Sequence, residues 1–177
     1  MDSRVDAAPP RRLKLGRPLF YCSLIAAALA LTPFRPLKVT GHSMEPTLHD
    51  GETYVLDQFY WKQQGLKRGD IIVVDKMGEH WVKRLIGKPG DTLQIVRDAP
   101  NWIERVDNLT TNPSLRQEGF NVQTQQLQGD EIFVIGDNLN RSTDSTSQEA
   151  GAFHLSDVIG VVRNFAMRRE FPYQHHL

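Results

Sequence analysis

The sequence is poor in two features that often reveal a function, cysteine and net charge. Cys22 is the single cysteine among 177 residues, so the chain can form no internal disulfide. Twenty-one basic residues balance twenty-one acidic ones, which argues against recognition of nucleic acid through overall charge. His175 and His176 have no cysteine or carboxylate neighbours at ligand spacing. We therefore expect no nucleic-acid partner, no metal and no cofactor.

One uncharged apolar segment runs from Pro18 to Phe34. Its length lies at the short end of the roughly 17 to 25 residues that a transmembrane helix needs. Basic residues are more frequent before this segment than after it, and the positive-inside rule then places the N-terminus in the cytosol. We predict a cytosolic basic segment (1–17), a transmembrane helix (18–34) in contact with lipid, and an exported remainder.

Two other interpretations of this segment remain open. A basic stretch, a short apolar stretch and the triplet Ala28-Leu29-Ala30 are also typical of a cleavable signal peptide. A buried core helix is the third option, and the flanking basic residues argue against it.

Beyond Leu37, short segments rich in β-branched and aromatic residues alternate with Gly, Pro and Asp. This pattern predicts a mainly β domain over residues 38–177, and turn signals such as Pro89-Gly90-Asp91 favour an antiparallel sheet. Residues 97–129 are polar and weakly patterned, and we interpret them as an excursion from the sheet. The predicted strands lie within residues 52–59, 70–76, 80–87, 91–96, 131–137 and 157–162.

Ser43, in the stretch TGHSMEPTL, is a candidate nucleophile. The G-x-S-x-G elbow of the α/β-hydrolases does not apply, because Glu45 occupies the position of its second glycine. His42 is a poor base for Ser43, since adjacent side chains on an extended segment point to opposite faces. A base for Ser43 must therefore come from elsewhere in the chain.

Lys83, in HWVKRLIGKPGD, is the best candidate for that base, as in the Ser-Lys variants of serine proteases. On a strand, Lys83 shares a face with Trp81 and Leu85, and Arg84 lies on the other face. Burial between apolar neighbours can lower the pKa of a lysine from about 10.4 towards the roughly 7 to 8 that suits a base. A lysine on a strand is more often a solvated edge charge, so the pattern alone does not decide between the two.

Three stretches together resemble the signal peptidase I family: Gly41 to Leu48, Val82 to Asp91, and Gly136 to Ser145. They occur in the order and at the approximate spacings found in that family. With the preceding apolar segment, the resemblance covers most of the chain outside residues 97–129. It implies that Ser43 is the nucleophile and that Lys83 is the general base.

The resemblance also implies roles for other residues of these stretches. It places a serine near the lysine amine and an aspartate in a supporting polar network, and these positions are Ser142 and Asp144. Supporting roles are expected for Ser142, Asp144, Asp137 and Arg84. Places in the oxyanion or substrate-binding region are expected for Gly41, His42 and Met44.

This sequence departs from the family pattern at two places. Leu139 and Thr146 stand where the third stretch often carries arginine. Gly41 stands where some members have a serine whose hydroxyl helps to bind the oxyanion. The oxyanion hole would then depend on backbone N–H groups, chiefly that of Ser43, with a water or the Thr40 hydroxyl.

The resemblance implies a membrane-bound endopeptidase that removes signal peptides from exported preproteins. We expect its substrates to carry small residues, alanine above all, at the first and third positions before the cut. A bacterial plasma membrane is favoured over the mitochondrial inner membrane, because Asp2 and Asp6 are unusual in a transit peptide.

Three competing functions remain at this point. The first is an inner-membrane peptidase of mitochondria. The second is a repressor-type self-cleaving Ser-Lys protease, which should carry a DNA-binding module where this chain has its apolar segment. The third is an inactive, membrane-anchored β-domain that only binds exported peptides. For Phe59 and Trp61, a place at the membrane interface and a place in the core are equally open.

Overall fold

A computed structural model describes residues 16–30, 34–99, 102–147 and 150–163 and divides the chain into two units, Met1–Thr32 and Pro33–Leu177. The described part of the first unit is one helix, α1 (Gly16–Ala30), of 15 residues. A helix of this length extends about 22 Å, compared with about 30 Å for the hydrocarbon core of a bilayer. Within the described ranges, no helix is both long enough and apolar enough to cross a membrane.

The helix predicted over residues 18–34 thus differs from the helix observed. α1 ends at Ala30, and Phe34 lies in a strand. Prolines at positions 33 and 36 account for this change, because proline cannot donate the backbone hydrogen bond of a helix interior. Residues 1–15 of the predicted cytosolic segment, residues 31–33 of the predicted span and residues 164–177 of the predicted β domain lie outside the described residues.

The second unit is built from ten strands and a short helix, α2 (Tyr60–Gln64), in its described part. The strands are β1 (Phe34–Lys38), β2 (Thr53–Asp57), β3 (Ile71–Lys76), β4 (Glu79–Gly87), β5 (Thr92–Ala99), β6 (Trp102–Asn108), β7 (Val122–Gln126), β8 (Glu131–Ile135), β9 (Phe153–His154) and β10 (Val158–Arg163). Seven form a large antiparallel sheet in the order β1-β2-β10-β3-β4-β8-β9, and three form a small antiparallel sheet in the order β6-β5-β7.

The mainly β, antiparallel fold predicted from the sequence is confirmed. Each of the six predicted segments coincides with all or most of a strand, namely β2, β3, β4, β5, β8 and β10. β1 pairs with β2 from Phe34 onward, so the β unit begins before residue 38, where the sequence analysis placed its start.

Residues 97–129 leave the large sheet, as predicted, but they are more regular than their composition indicates. They contain β6 and β7, which pair with the two edges of β5. β7 was not predicted, because its sequence, VQTQQ, has one apolar residue and carries no alternating pattern. Backbone pairing with β5 and burial of Ile103 and Val106 against the core hold this sheet together.

Apolar clusters cover both faces of β4, which lies between β3 and β8 in the large sheet. On one face Ile72, Leu85 and Val134 are fully buried. On the other face Val73 and Met44 belong to a second cluster, and a third cluster joins the two sheets. From Lys83 to Gly87, side chains on both faces of β4 are therefore removed from water, including Lys83 and Arg84.

Candidate active site

Ser43 and Lys83 are 40 residues apart in sequence, yet Lys83 Nζ lies 3.1 Å from Ser43 Oγ. Ser43 belongs to the turn that connects β1 and β2, whereas Lys83 lies on β4. The same amine lies 3.1 Å from Ser142 Oγ. These two hydroxyls are its hydrogen-bond partners within the described part of the chain.

The Lys83 side chain is buried, with 5% of its surface exposed. The strand register places Lys83 opposite Ile72, and Trp81 lies on the same face with its ring centroid 5.9 Å from the amine. Burial lowers the pKa of Lys83, and the charge of Asp144 opposes this shift to a smaller extent. The alternative of a solvated edge lysine is thus wrong.

Asp144 is fully buried near this amine, but backbone and hydroxyl donors occupy its carboxylate. Asp144 Oδ2 accepts from the N–H of Gly136 at 2.8 Å, and Oδ1 accepts from the hydroxyl of Thr146 at 2.7 Å. Asp144 therefore fixes the loop that carries Ser142 and acts on Lys83 through charge. Thr146 supplies a donor at one of the positions where this sequence lacks the family's arginine.

Two residues of the Gly136-Asp137-Asn138 turn hold the loop of Ser43 in place. Asn138 donates its backbone N–H to the Ser43 carbonyl at 2.9 Å and its side-chain amide to the His42 carbonyl at 3.2 Å. A Cβ on Gly136 would lie 2.5 Å from both Ser142 Cβ and the Ser43 carbonyl oxygen, so only glycine fits. This turn opens the third of the stretches that resemble the family, but Gly136 and Asn138 were not predicted as site residues.

Arg84 and Asp137 form a buried, bidentate ion pair on the opposite face of β4. Arg84 Nε lies 2.7 Å from Asp137 Oδ1, and Nη2 lies 2.5 Å from Oδ2. The guanidinium also donates to the carbonyl of Gly69 at 2.8 Å and to Thr47 Oγ1 at 3.4 Å. One side chain therefore links β4 to the turn that follows β8 and to the loop that follows Ser43.

The structure does not bring His42, Gly41 or Met44 to the lysine amine. His42 is exposed, and Nδ1 lies 2.8 Å from Glu45 Oε1, whose hydrogen bond raises the pKa of His42. The N–H of Gly41 donates to Asp50 Oδ1 at 2.7 Å. Met44 is buried in an apolar cluster. Gly41 therefore has no free N–H for an oxyanion.

Two aromatic residues, one position that lacks the family's arginine and the predicted absence of a metal remain to be compared with the structure. Trp61 packs against the core, whereas Phe59 is half exposed, and a place for Phe59 at the membrane interface stays a prediction. Leu139, at the other position that lacks arginine, is buried in the cluster between the sheets. No group of three His, Cys, Asp or Glu side chains in the described ranges could hold a metal ion.

Comparison with known proteins gives consistent matches. The sequence model of the family described as "Signal peptidase, peptidase S26" matches residues 12–167. The chain is 35% identical over 156 residues to signal peptidase I of Bacillus amyloliquefaciens, covering 84% of each chain. It is 37% identical over 139 residues to signal peptidase I of Bacillus licheniformis, covering 69% of this chain and 73% of that protein. It is 35% identical over 148 residues to signal peptidase I T of Bacillus subtilis (strain 168), covering 75% and 74%.

Proposed function

This chain belongs to the signal peptidase family, peptidase S26, and from that premise we propose that it is a serine endopeptidase that cleaves N-terminal signal peptides from preproteins. Ser43 is the nucleophile and Lys83 is the general base. The observation that carries the proposal is a buried lysine amine 3.1 Å from a serine hydroxyl, hydrogen-bonded to hydroxyls rather than to a carboxylate.

The reaction proceeds in two acyl-transfer steps. The neutral amine of Lys83 accepts the proton of Ser43 as Oγ attacks the scissile carbonyl carbon. The resulting ammonium gives that proton to the departing amine when the C–N bond breaks, which leaves the signal peptide as an ester on Ser43. A water molecule then attacks the ester, Lys83 accepts its proton, and return of that proton to Oγ frees Ser43.

The negative oxygen of each tetrahedral intermediate requires hydrogen-bond donors in fixed positions. The N–H of Ser43 has no acceptor within the described part of the chain, whereas that of Gly41 is engaged with Asp50. Asn138 supports this arrangement because it holds the carbonyl groups of His42 and Ser43. The Ser43 N–H is therefore the principal oxyanion donor in this proposal.

The substrate binds in extended conformation along the open edge of β4. β3 pairs with β4 from Glu79 to Arg84, but β8 pairs with it at Arg84, Leu85 and Gly87. Residues 79–83 thus have a strand neighbour on one side among the described strands, and an added strand can occupy the other side. Alternate residues of that strand face the enzyme, which agrees with small side chains at the first and third positions before the cut.

Membrane association completes the proposed function. The apolar segment that includes most of α1 anchors the chain to lipid, with the basic segment before it in the cytosol and the β unit exported. A bacterial plasma membrane is favoured, and the similar proteins from Bacillus support this choice. The intact mass of membrane-extracted protein tests the anchor, and a mature chain that begins at Leu31 would refute it.

The activity is tested with purified protein in detergent and a precursor that carries a signal peptide. We expect cleavage after a small residue, identified by the mass of the products, and no cleavage by Ser43→Ala. Precursors with Phe in place of Ala at the first or third position should react poorly, and equal cleavage of both would contradict the proposed specificity. Binding without cleavage would favour the inactive peptide-binding domain.

A further inference from the structure

A cavity of about 750 Å³ lies beside the Ser43–Lys83 pair. Its volume falls within the roughly 300 to 1,000 Å³ that is usual for ligand sites. One wall is a face of the small sheet, with Ile95, Arg97 and Gln125. The lining also includes residues of the loop that contains Ser142, together with Phe153. Ser142 lines the cavity, and neither Ser43 nor Lys83 does.

The position of Ser142 shows which side of the substrate this cavity faces. Ser142 Oγ lies 3.1 Å from Lys83 Nζ, so the cavity borders the amine. In the proposed reaction the amine protonates the leaving nitrogen, which must therefore lie near Nζ. The chain that follows the scissile bond begins at this nitrogen, and it continues on the side of Ser142.

The lining of the cavity is largely polar around an apolar base. Arg97 and Glu131 contribute one charge of each sign, and glutamine, asparagine, serine and threonine side chains surround them. Ile95 and Ile103 are buried at its base. Most of these polar groups already have partners within the protein: Arg97 donates to the carbonyl of Thr146, and the Asn140 side chain pairs with the backbone of Ile103. Within the described residues, the side-chain amides of Gln123 and Gln125 make no hydrogen bond, and they can pair with the backbone or polar side chains of an extended chain.

We propose that this cavity binds the mature side of the preprotein, that is, the first residues after the cut; this inference rests on the proposed function. The site contributes uniform binding to substrate and transition state. Its occupation therefore lowers KM and leaves kcat nearly unchanged. Preproteins with a polar segment after the cut therefore have a lower KM than peptides that end shortly after the cut.

The experiment compares two substrates with the same signal peptide and cleavage site. The short substrate ends shortly after the cut in an amide, and the long substrate continues with a polar segment. Gln125→Trp places a bulky ring in the cavity, and Gln126→Trp, on the opposite face of β7 and exposed, is the matched control. We expect wild-type kcat/KM to be about tenfold higher for the long substrate, and Gln125→Trp to abolish this difference through KM.

Each other outcome contradicts the inference in a distinct way. Equal wild-type rates on both substrates, or equal losses on both in Gln125→Trp, would overturn the cavity site and leave the proposed peptidase activity intact. A loss for Gln126→Trp equal to that of Gln125→Trp would also overturn it. If wild-type protein cleaves neither substrate, the proposed function itself fails. Melting temperatures check folding, and Gln123→Trp, on the same face, replaces Gln125→Trp should that variant not fold.

Discussion

Lys83 and Arg84 are adjacent on β4 and equally removed from water, with 5% and 7% of their surfaces exposed, but their surroundings differ. The guanidinium of Arg84 meets Asp137 in a bidentate ion pair. The amine of Lys83 meets the hydroxyls of Ser43 and Ser142. One face of the strand thus holds a compensated charge. On the other face, no carboxylate of the described residues lies at hydrogen-bond distance from the lysine.

This difference shows how one strand serves both folding and chemistry. A buried charge is strongly unfavourable unless a partner compensates it, and arginine does not release its proton in proteins. Arg84 therefore needs Asp137. Lysine does release its proton when it is desolvated, so burial without a carboxylate partner favours a neutral amine that can act as a base.

The largest effect on activity should come from substitutions of Lys83 and its partner Ser43. Ser43→Ala and Lys83→Ala should each lower kcat/KM by more than about 10³-fold, because the pair acts as a unit. Lys83→Arg should be equally inactive, since its charge persists, and Lys83→Met should fold at least as stably as wild type. Precursor cleavage and thermal unfolding measure these effects. An active Lys83→Arg would contradict the assignment of a neutral base.

Loss of the ion pair between Arg84 and Asp137 should instead reduce stability. Asp137→Ala leaves the Arg84 guanidinium buried without its carboxylate, and we expect a loss of about 3 to 5 kcal/mol in the free energy of unfolding. Denaturant titration of the purified protein measures it. Arg116→Ala, which removes an exposed arginine, is the matched control and should change stability by less than about 0.5 kcal/mol. Similar values for the two variants would refute the structural importance of the pair.

The pH dependence of kcat/KM and of stability should distinguish Lys83, which titrates, from Arg84, which does not. Only the neutral amine accepts a proton, so kcat/KM should rise about tenfold per pH unit until it levels at the lowered pKa of Lys83, below the ordinary value of about 10.4. Because the unfolded chain binds this proton more tightly, stability should also rise with pH between the lowered and the ordinary pKa. Lys83→Met should lose that part of the rise. A rate that levels only at or above the ordinary lysine pKa would contradict the predicted direction.

Ser142 should have a smaller effect, because it positions the amine. Ser142→Ala should lower kcat roughly tenfold, a loss of about 1.4 kcal/mol, with little change in KM. Ser142→Thr retains a hydroxyl and should recover part of the rate. Steady-state kinetics of the three proteins provide the measurement, and a Ser142→Thr variant no better than Ser142→Ala would argue for a purely steric role.

His42 should have the smallest effect. Its ring is exposed and pairs with Glu45, which raises its pKa. His42→Ala should therefore keep kcat/KM within about twofold of wild type and leave the pH profile unchanged. Measurement of the profile for both proteins checks this expectation. An inactive His42→Ala beside an active Lys83→Ala would reverse the roles of the two residues.

The sequence alone determined the elements whose information is local. The two-residue period of a strand placed Lys83 with Trp81 and Leu85 and put Arg84 on the other face, and the strand register agrees. β-branched runs between turn signals gave six of the ten described strands. The sequence predicts these strands and faces because they depend on neighbours along the chain.

The tertiary structure alone decided which distant residues meet. Asp137 lies 53 positions from Arg84 and Ser142 lies 59 positions from Lys83, and both contacts depend on how β8 and its following loop lie against β4. The small sheet likewise arises from pairing with β5, because β7 carries no strand pattern of its own. The Lys83 amine is buried beside two hydroxyls, with the nearby Asp144 carboxylate engaged by other donors, because several distant segments pack around it. Such surroundings are a property of the assembled fold, and the strand's own sequence does not contain them.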